Sequence, residues 1–413
     1  MKFLKPITIS LSPNTEKDDV FLSFLILFMP WMWKSGKAIR ELENKFKEFL
    51  GVKYAFSFNS GRSSLLVLLK ALGLEKGSEV LLQAFTCNAA ANPVIWAGLK
   101  PVYVDCNEES FNVDFDDLER KITPRSKALI VQHTFGLPAE MDKITEFCQK
   151  RNLVLIEDCA HSLGAQFSGK KTGTFGRAAF FSFSRDKIIS SVYGGMLTTN
   201  DSDLALKIDK IYKSIKFPSF FWIKQQLLHP VLFNWLILPT YKLFGKYLLV
   251  IFQKINLLSK AVHSKEKVGK MPGYFPKRLP NSLAVLALKQ FGKMDRFNEH
   301  RKTIAKIYRD SLKDFEVPLD FQQVYLRFTV KHPKAHSIIR YFWRKNILIG
   351  DWYTSPLAPK DTKADKIFYI PGSCPKAERL AQTTFNLPTH INITKEDAEK
   401  IVGLLKSYGN KGN

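Results

Sequence analysis

The sequence predicts an α/β protein, a largely parallel sheet with crossover helices followed by a smaller α+β unit, and three observations predict it. Between about residues 52 and 200, short β-branched and aromatic runs (YAFSF, EVLLQ, KPVYVD, ALIVQH, LVLIED, AAFFSF and GGMLTT) alternate with helix-like segments. Residues 281–314, opening NSLAVLALKQF, carry an apolar stripe at helical spacing and read as one long helix leading out of the large unit. Beyond Pro318 the elements LRFTVKH, AHSIIRYFWRKN and KEDAEKIVGLLKSY are short and mixed, which suits a small closing domain. A chain of 413 residues with 45% hydrophobic content is long enough for both cores.

Several of the runs end in residues able to do chemistry: Asn59 and Ser60, Asp105, His133, Asp158 and Ser182. Ligands of open α/β sheets sit beyond the carboxyl ends of the strands, so these residues are expected around one crevice. In FNSGRSSLLVLLKAL a strand runs straight into a helix, and the amides of Arg62 and Ser63 fall at the positive end of the helix dipole. That arrangement binds anions, and the Arg62 side chain could add charge; an ordinary capped helix fits the same stretch.

Asp158 closes the apolar run LVLIED, where a carboxylate loses water and needs a cation or hydrogen bonds. A protonated pyridine nitrogen is one such partner, and a helix cap is the plainer alternative. Glu157 points to the other face of its strand and reads as structural. Lys187 follows Ser182 by five residues, in SFSRDK. Held in a partly apolar crevice, its amine becomes a nucleophile suited to a carbonyl; alone, it could equally be a solvated lysine. Taken together, an anion-binding turn, a strand-end acid and a lysine describe the needs of pyridoxal phosphate. Gly194 and Gly195 let the chain run closely into the next strand.

The formal charge of +24 favours phosphate-bearing partners, but the basic residues are dispersed and no nucleic-acid-binding motif accompanies them, so nucleic acid is not indicated. The five cysteines are scattered, with no CxxC pair, which indicates neither a disulfide framework nor a metal site and suits a reducing cytoplasm. The N-terminus lacks the apolar core and cleavage site of a signal peptide. Two apolar segments break the globular pattern. Residues 20–33, VFLSFLILFMPWMW, are too short to span a bilayer, and residues 230–252 approach spanning length but contain Pro239, Lys242 and Lys246. They read either as core or dimer-interface helices or as interfacial segments entering one leaflet with basic flanks.

These residues, in this order, resemble the DegT/StrS sugar aminotransferases, pyridoxal phosphate enzymes of fold type I. The resemblance runs from ELENKFKEFLG at 41–51 to NLPTHINITKEDAEKIV at 386–402. It includes NSGRSSL at 59–65, GLKPVYVDCNEESFNVD at 98–114, QHTFGLPAEMD at 132–142, EDCAHSLGA at 157–165, SFSRDK at 182–187 and GGMLTT at 194–199. It implies a mainly parallel seven-stranded sheet flanked by helices. The implied layout is an arm at 1–40, a large cofactor-binding domain at 41–310 with an apolar insertion at about 217–265, and a small α+β domain at 311–413.

The resemblance further implies that Lys187 carries the cofactor aldehyde, Asp158 pairs with the pyridinium nitrogen and His161 lies near the phenolic oxygen. Ser182 and the amides of Arg62 and Ser63 would hold the phosphate, joined by Arg278 from the partner subunit of a homodimer. The implied activity moves an amino group, by family expectation from glutamate, to a nucleotide-linked keto sugar in glycan or surface polysaccharide biosynthesis. The implied place is the cytoplasm, with the inner face of a membrane as the alternative that the apolar segments raise.

The chain also departs from the family. Cys87 stands where an aromatic ring usually stacks on the cofactor, leaving Phe85 or another cover for that role, and Arg62 replaces a more usual threonine. The apolar insertion and the hydrophobic 20–33 stretch are not general family features. Three alternatives stay open. A dehydratase of the same fold is disfavoured because Lys187 stands where the sugar dehydratase branch carries histidine. A lyase or desulfurase would need a loop cysteine, for which Cys374 is the candidate. A membrane-surface binding or regulatory protein could keep the fold without turnover.

Overall fold

Each apolar run between residues 52 and 200 forms a strand of one sheet: β1 (Tyr54–Phe58), β2 (Glu79–Gln83), β3 (Lys100–Val104), β4 (Ser126–Gln132), β5 (Val154–Asp158), β6 (Ala178–Ser182) and β7 (Gly195–Thr199). The structure is a computed structural model and describes residues 5–313, 315–317 and 323–409. The strand order is β1-β7-β6-β5-β4-β2-β3. β7 is antiparallel to both neighbours and every other pairing is parallel, as the mainly parallel seven-stranded expectation requires. The strands read as continuous apolar runs because both faces of the sheet are covered.

Successive residues on a strand serve opposite faces. On β6, Phe180 packs with Leu68, Ile130 and Leu197 on one side, whereas Phe181 packs with Phe46 and Leu283 on the other. The helices that cover them are α1 (Lys17–Leu27), α2 (Ala38–Leu50), α3 (Gly61–Leu72), α4 (Asn88–Trp96), α5 (Phe115–Lys121), α6 (Met141–Lys150) and α7 (Ser202–Ser214). The stripe Leu42, Phe46 and Leu50 of α2 is fully inside, at the spacing of one helical face.

After α7 the apolar insertion forms a helical hairpin. Its first limb is α8 (Phe220–Leu232) continued by a wide turn at Phe233–Ile237; its second is a wide turn at Tyr241–Gly245 continued by α9 (Lys246–Lys254). Pro239 separates the limbs, consistent with the loss of a backbone donor there. The single long helix expected over 281–314 is instead two, α10 (Asn281–Phe291) and α11 (Met294–Ser311). The break falls at Gly292 and Lys293, where glycine gives little helical preference and the Lys293 amine is drawn to Asp18 and Asp19 of α1, at 2.6 and 3.0 Å.

Beyond α11, β8 (Phe328–Lys331), α12 (Ala335–Arg344), α13 (Pro375–Thr383), β9 (Thr384–Leu387) and α14 (Lys395–Gly409) follow. β8 and β9 pair antiparallel. Phe328, Phe342, Phe385 and Ile401 close a separate apolar cluster with Ile304 and Tyr308 of α11. The expected boundary at Pro318 lies outside the described residues. Ile7 and Thr8 pair in parallel with Ile347 and Leu348, tying the N-terminal stretch to the segment that follows α12.

Candidate active site

The carboxyl end of β1 delivers Asn59 and Ser60 to the start of α3. Ser60 caps the helix by accepting the Ser63 N–H on its Oγ at 3.1 Å, and Ser63 Oγ donates to Asn59 Oδ1 at 2.7 Å. β7 begins hard against this turn: a Cβ on Gly195 would lie 2.4 Å from Gly61 N, so only glycine passes. On the other side a Cβ on Gly61 would stand 3.2 Å from Ser182 Cβ. These close approaches set the Ser182 hydroxyl beside the positive end of α3, which is a place for an anion.

Arg62 does not add the expected charge there. Its Nε lies 2.7 Å from Glu266 and its Nη2 donates to the Ala261 carbonyl at 3.0 Å. Burial is the largest single influence and works against its charge, but Glu266 together with Tyr193, Cys87 and Tyr274 raises the pKa. The Arg62 guanidinium therefore ties the return limb of the insertion to the turn and leaves its backbone as the part facing an anion.

Glu157 and Asp158, adjacent on β5, have opposite surroundings. Glu157 is fully buried and accepts the N–H groups of Gly173, Phe175 and Gly176, each at 2.7 Å, with His133 Nε2 at 3.2 Å. It is structural, as expected, and His133 is its partner rather than a residue of the crevice. Asp158 accepts one backbone N–H, that of Ala160 at 3.0 Å. Burial pushes its carboxyl up to about 6, against the pull of that bond, Lys187 and His133. An under-bonded buried carboxylate at a strand end is an acid waiting for a cation.

Lys187 lies in the loop beyond β6. Its amine is 4.6 Å from the Trp352 ring centroid. Burial lowers its pKa; Arg327 adds to this, while Asp186, Cys87 and Asp158 oppose it. The loop is fixed from behind: Asn14 Nδ2 donates to the carbonyls of Lys187 and Ile188, and Arg301 Nη2 reaches the Ile188 carbonyl at 3.2 Å. Asp186 is held by Arg327, 3.0 Å away, whose guanidinium stacks on Trp352 at 3.3 Å. His161 is sandwiched between Phe135 and Trp352, with centroids 6.0 and 5.8 Å away, and its Nδ1 accepts the Phe135 N–H at 3.3 Å. Burial first, then Lys187 and Arg327, keep it neutral with its proton on Nε2.

The expected residues thus divide. Asn59, Ser60, Asp158, His161, Ser182 and Lys187 share the carboxyl edge. Asp105 does not join them: its carboxylate accepts the N–H groups of Lys376 and Ala377, at 2.9 and 2.8 Å, and caps α13. Phe85 is fully buried, against Phe111 and Tyr353 at 5.9 and 5.4 Å. Trp352, in the GDWYTSPLAP segment, is the ring that stands over Lys187. Cys374 is buried at the start of α13, with burial pushing its thiol up to about 11, which is wrong for a mobile nucleophile. Arg278 places its guanidinium over Tyr212, 4.6 Å from the centroid, and donates to the Tyr212 carbonyl. Asn14, Arg301 and Arg327 carried no signal in the sequence, since each acts across more than a hundred residues.

A family model described as the DegT/DnrJ/EryC1/StrS aminotransferase family matches residues 26–218 and 250–406. GDP-perosamine synthase of Caulobacter vibrioides is 43% identical over 178 residues, 43% of this chain and 48% of that protein, so the match spans about half the relative's length. GDP-perosamine synthase of Vibrio cholerae is 26% identical over 399 residues, covering 92% of this chain and 93% of that one. The solved aminotransferase of Helicobacter pylori involved in pseudoaminic acid biosynthesis superposes with a TM-score of 0.76 at 23% identity, over 98% of this chain and 100% of the other, and so shares the fold. With the fold, the strand-edge site and a family match over most of its length, the chain belongs to the DegT/DnrJ/EryC1/StrS aminotransferase family.

Proposed function

We propose that this chain transfers an amino group, from glutamate, to the keto group of a nucleotide-linked sugar in glycan or surface polysaccharide biosynthesis, with pyridoxal 5′-phosphate as cofactor. One observation carries the reading. A lysine amine held below its ordinary pKa shares the strand edge with an under-bonded buried carboxylate and an anion cradle at a helix start. These are partners for an aldehyde, a pyridine nitrogen and a phosphate, and they fit the group.

When bound, pyridoxal phosphate supplies a conjugated ring that draws electrons from the carbon bearing the amino group. Ser182 and the first-turn amides of Arg62 and Ser63 would hold its phosphate, the Ser63 amide leaving or sharing its cap on Ser60. Asp158 would keep the proton on the ring nitrogen, His161 would border the phenolic oxygen, and Lys187 would carry the aldehyde between turnovers. Released by the incoming amine, Lys187 Nζ, its basicity reduced by burial, takes the proton from the substrate carbon and later returns it. Trp352, braced by Arg327, shields that amine from water. Donor and acceptor use the same groups in turn, so ping-pong kinetics are expected.

A homodimer belongs to the same reading, with Arg278 of one subunit reaching the phosphate of the other. So does the division into an arm at 1–40, a cofactor domain at 41–310 and a small domain at 311–413. The cytoplasm, at the inner face of a membrane, is the compartment proposed; the free cysteines suit the first part and the exposed apolar helices motivate the second. The test is amino transfer from glutamate to a panel of nucleotide-linked keto sugars, guanosine-diphosphate sugars first because the two relatives are GDP-perosamine synthases. Release of 2-oxoglutarate that depends on one acceptor is expected. Cofactor-loaded protein that exchanges no amino group with any acceptor overturns the reading.

A further inference from the structure

Fifteen of the twenty large hydrophobic side chains that stand exposed among the described residues fall in two stretches, 21–32 and 220–255. The two stretches make one surface. α1 packs along α8, where Ser23 Oγ donates to the Leu227 carbonyl at 2.8 Å. The rings of Phe24 and Trp235 lie 5.1 Å apart, and Lys34 Nζ sits 4.2 Å over Phe220.

No described helix is long and apolar enough to cross a membrane alone, and the hairpin limbs Phe220–Ile237 and Tyr241–Lys254 meet at 111°. The bend is built in: a Cβ on Gly245 would lie 2.2 Å from the Ile237 carbonyl oxygen, so glycine lets the limbs close. α9, with the sequence KYLLVIFQK, buries none of its residues. Leu249 and Phe252 are half-buried against Phe233 and Ile237, whereas Tyr247, Val250 and Ile251 stand exposed, and an apolar face left open in this way has its partner elsewhere.

Charge selects the partner. Residues 210–265 contain nine lysines and no Asp, Glu or Arg, and residues 20–40 add Lys34, Lys37 and Arg40 with no acid. Lys242, Lys246 and Lys254 are exposed and bracket the apolar residues of the second limb. The nearest acids on α1, Asp18 and Asp19, are already paired with Lys289 and Lys293 at 2.9 and 3.0 Å. A second copy seated on this face would set lysines against lysines, whereas anionic headgroups neutralise them. The family match omits residues 219–249, so the device is an addition to the common fold.

We propose that α1 and the hairpin of α8 and α9 dock this protein on an anionic bilayer. The aromatic and aliphatic side chains enter the headgroup boundary of one leaflet, and the flanking lysines contact lipid phosphates. This attachment is independent of which sugar the site aminates. The test is co-sedimentation of the full chain with vesicles of phosphatidylcholine alone and of phosphatidylcholine mixed with phosphatidylglycerol.

Pelleting is expected with the mixed vesicles and should weaken with added salt. Each basic residue at an anionic surface contributes roughly fivefold, so Lys242→Glu/Lys246→Glu/Lys254→Glu should lower partition by on the order of 100-fold or more. Leu243→Ser/Ile251→Ser should lower it independently. Both variants alter exposed side chains, and an unchanged circular dichroism spectrum and thermal midpoint establish that they fold. Equal pelleting with neutral and anionic vesicles, or pelleting unchanged in the charge-reversed variant, overturns the proposal. So does a wild type that ignores both vesicles while Leu243→Ser/Ile251→Ser dissolves its oligomer, which would assign the face to a second copy.

Discussion

The carboxyl edge of the sheet and the helical hairpin break the ordinary inside-out arrangement in opposite directions. At the edge, Asp158, Lys187, Arg327 and His161 are charged or titratable groups drawn into the protein. On the hairpin, Leu243, Tyr247 and Ile255 are hydrophobic groups left outside, each more than half exposed. Burying an ionisable group and exposing an apolar one both cost stability in the isolated chain. Each region is therefore built for something the chain itself does not contain, a small charged molecule in one case and a surface in the other. Arg62 joins the two, because its backbone starts the anion cradle and its side chain holds Glu266 at the end of the insertion.

The largest effect expected at the edge comes from Lys187→Ala. It removes the proposed attachment point and proton carrier, and amino transfer should fall on the order of ten-thousandfold or more. The cofactor adduct reducible by borohydride should vanish with it; an adduct that survives in the variant would falsify the role of Lys187.

Glu266→Ala acts at the junction. It leaves the Arg62 guanidinium buried without its carboxylate, and breaking such a pair costs about 3–5 kcal/mol. Chemical denaturation should show the loss, and the double variant with Arg62→Ala should recover part of it. An Arg62→Ala/Glu266→Ala protein no more stable than Glu266→Ala would show that the ion pair is not what secures the insertion.

Asp158 gives a pH signature in the cofactor-free protein. Its folded pKa is about 6 against an ordinary 3.8, so between these values the folded chain holds a proton that the unfolded chain has released. Stability therefore falls as pH rises through that window, by about 3 kcal/mol, and levels off above it. Asp158→Asn should be more stable than wild type by about that amount near pH 7. The two proteins should converge near pH 4. Parallel curves would mean that the carboxylate is paired in a way the structure does not contain.

Much of the edge was legible because its signals are local. An apolar run that stops on Asp158, a small-residue turn ahead of a helix, and a lysine a few residues past Ser182 each lie within one element and its loop. What escaped depends on distant pairs. Asp105 looked like a second strand-end acid beside Asp158, but it caps a helix that begins 270 residues later, at Pro375. Arg62 looked like added charge for a phosphate until Glu266 came to face it. Trp352 comes to stand over Lys187 from a segment whose place no periodicity reveals, and the apolar stripe of 281–314 continues across the break at Gly292 because packing, not pattern, turns the chain there. The hydrophobicity of the insertion was plain, whereas its bend and its contact with α1 needed the fold.

The smallest expected effect probes the hairpin by its insensitivity. Phe46, wholly inside between α2 and the sheet, touches Phe181 and Phe183, and Phe46→Ala should cost about 3–5 kcal/mol. Trp31 is larger, yet it is 73% exposed, and Leu243 is 57% exposed, so each has little packing to lose. Trp31→Ser and Leu243→Ser should each change the free energy of unfolding by less than about 0.5 kcal/mol in the absence of lipid. A cost near that of Phe46→Ala would mean that this face is already packed in solution, and the contrast between the two regions would then be one between two kinds of interior. A near-zero cost leaves a large apolar surface that contributes nothing to the fold carrying it, so its contribution has to be made in contact with another phase.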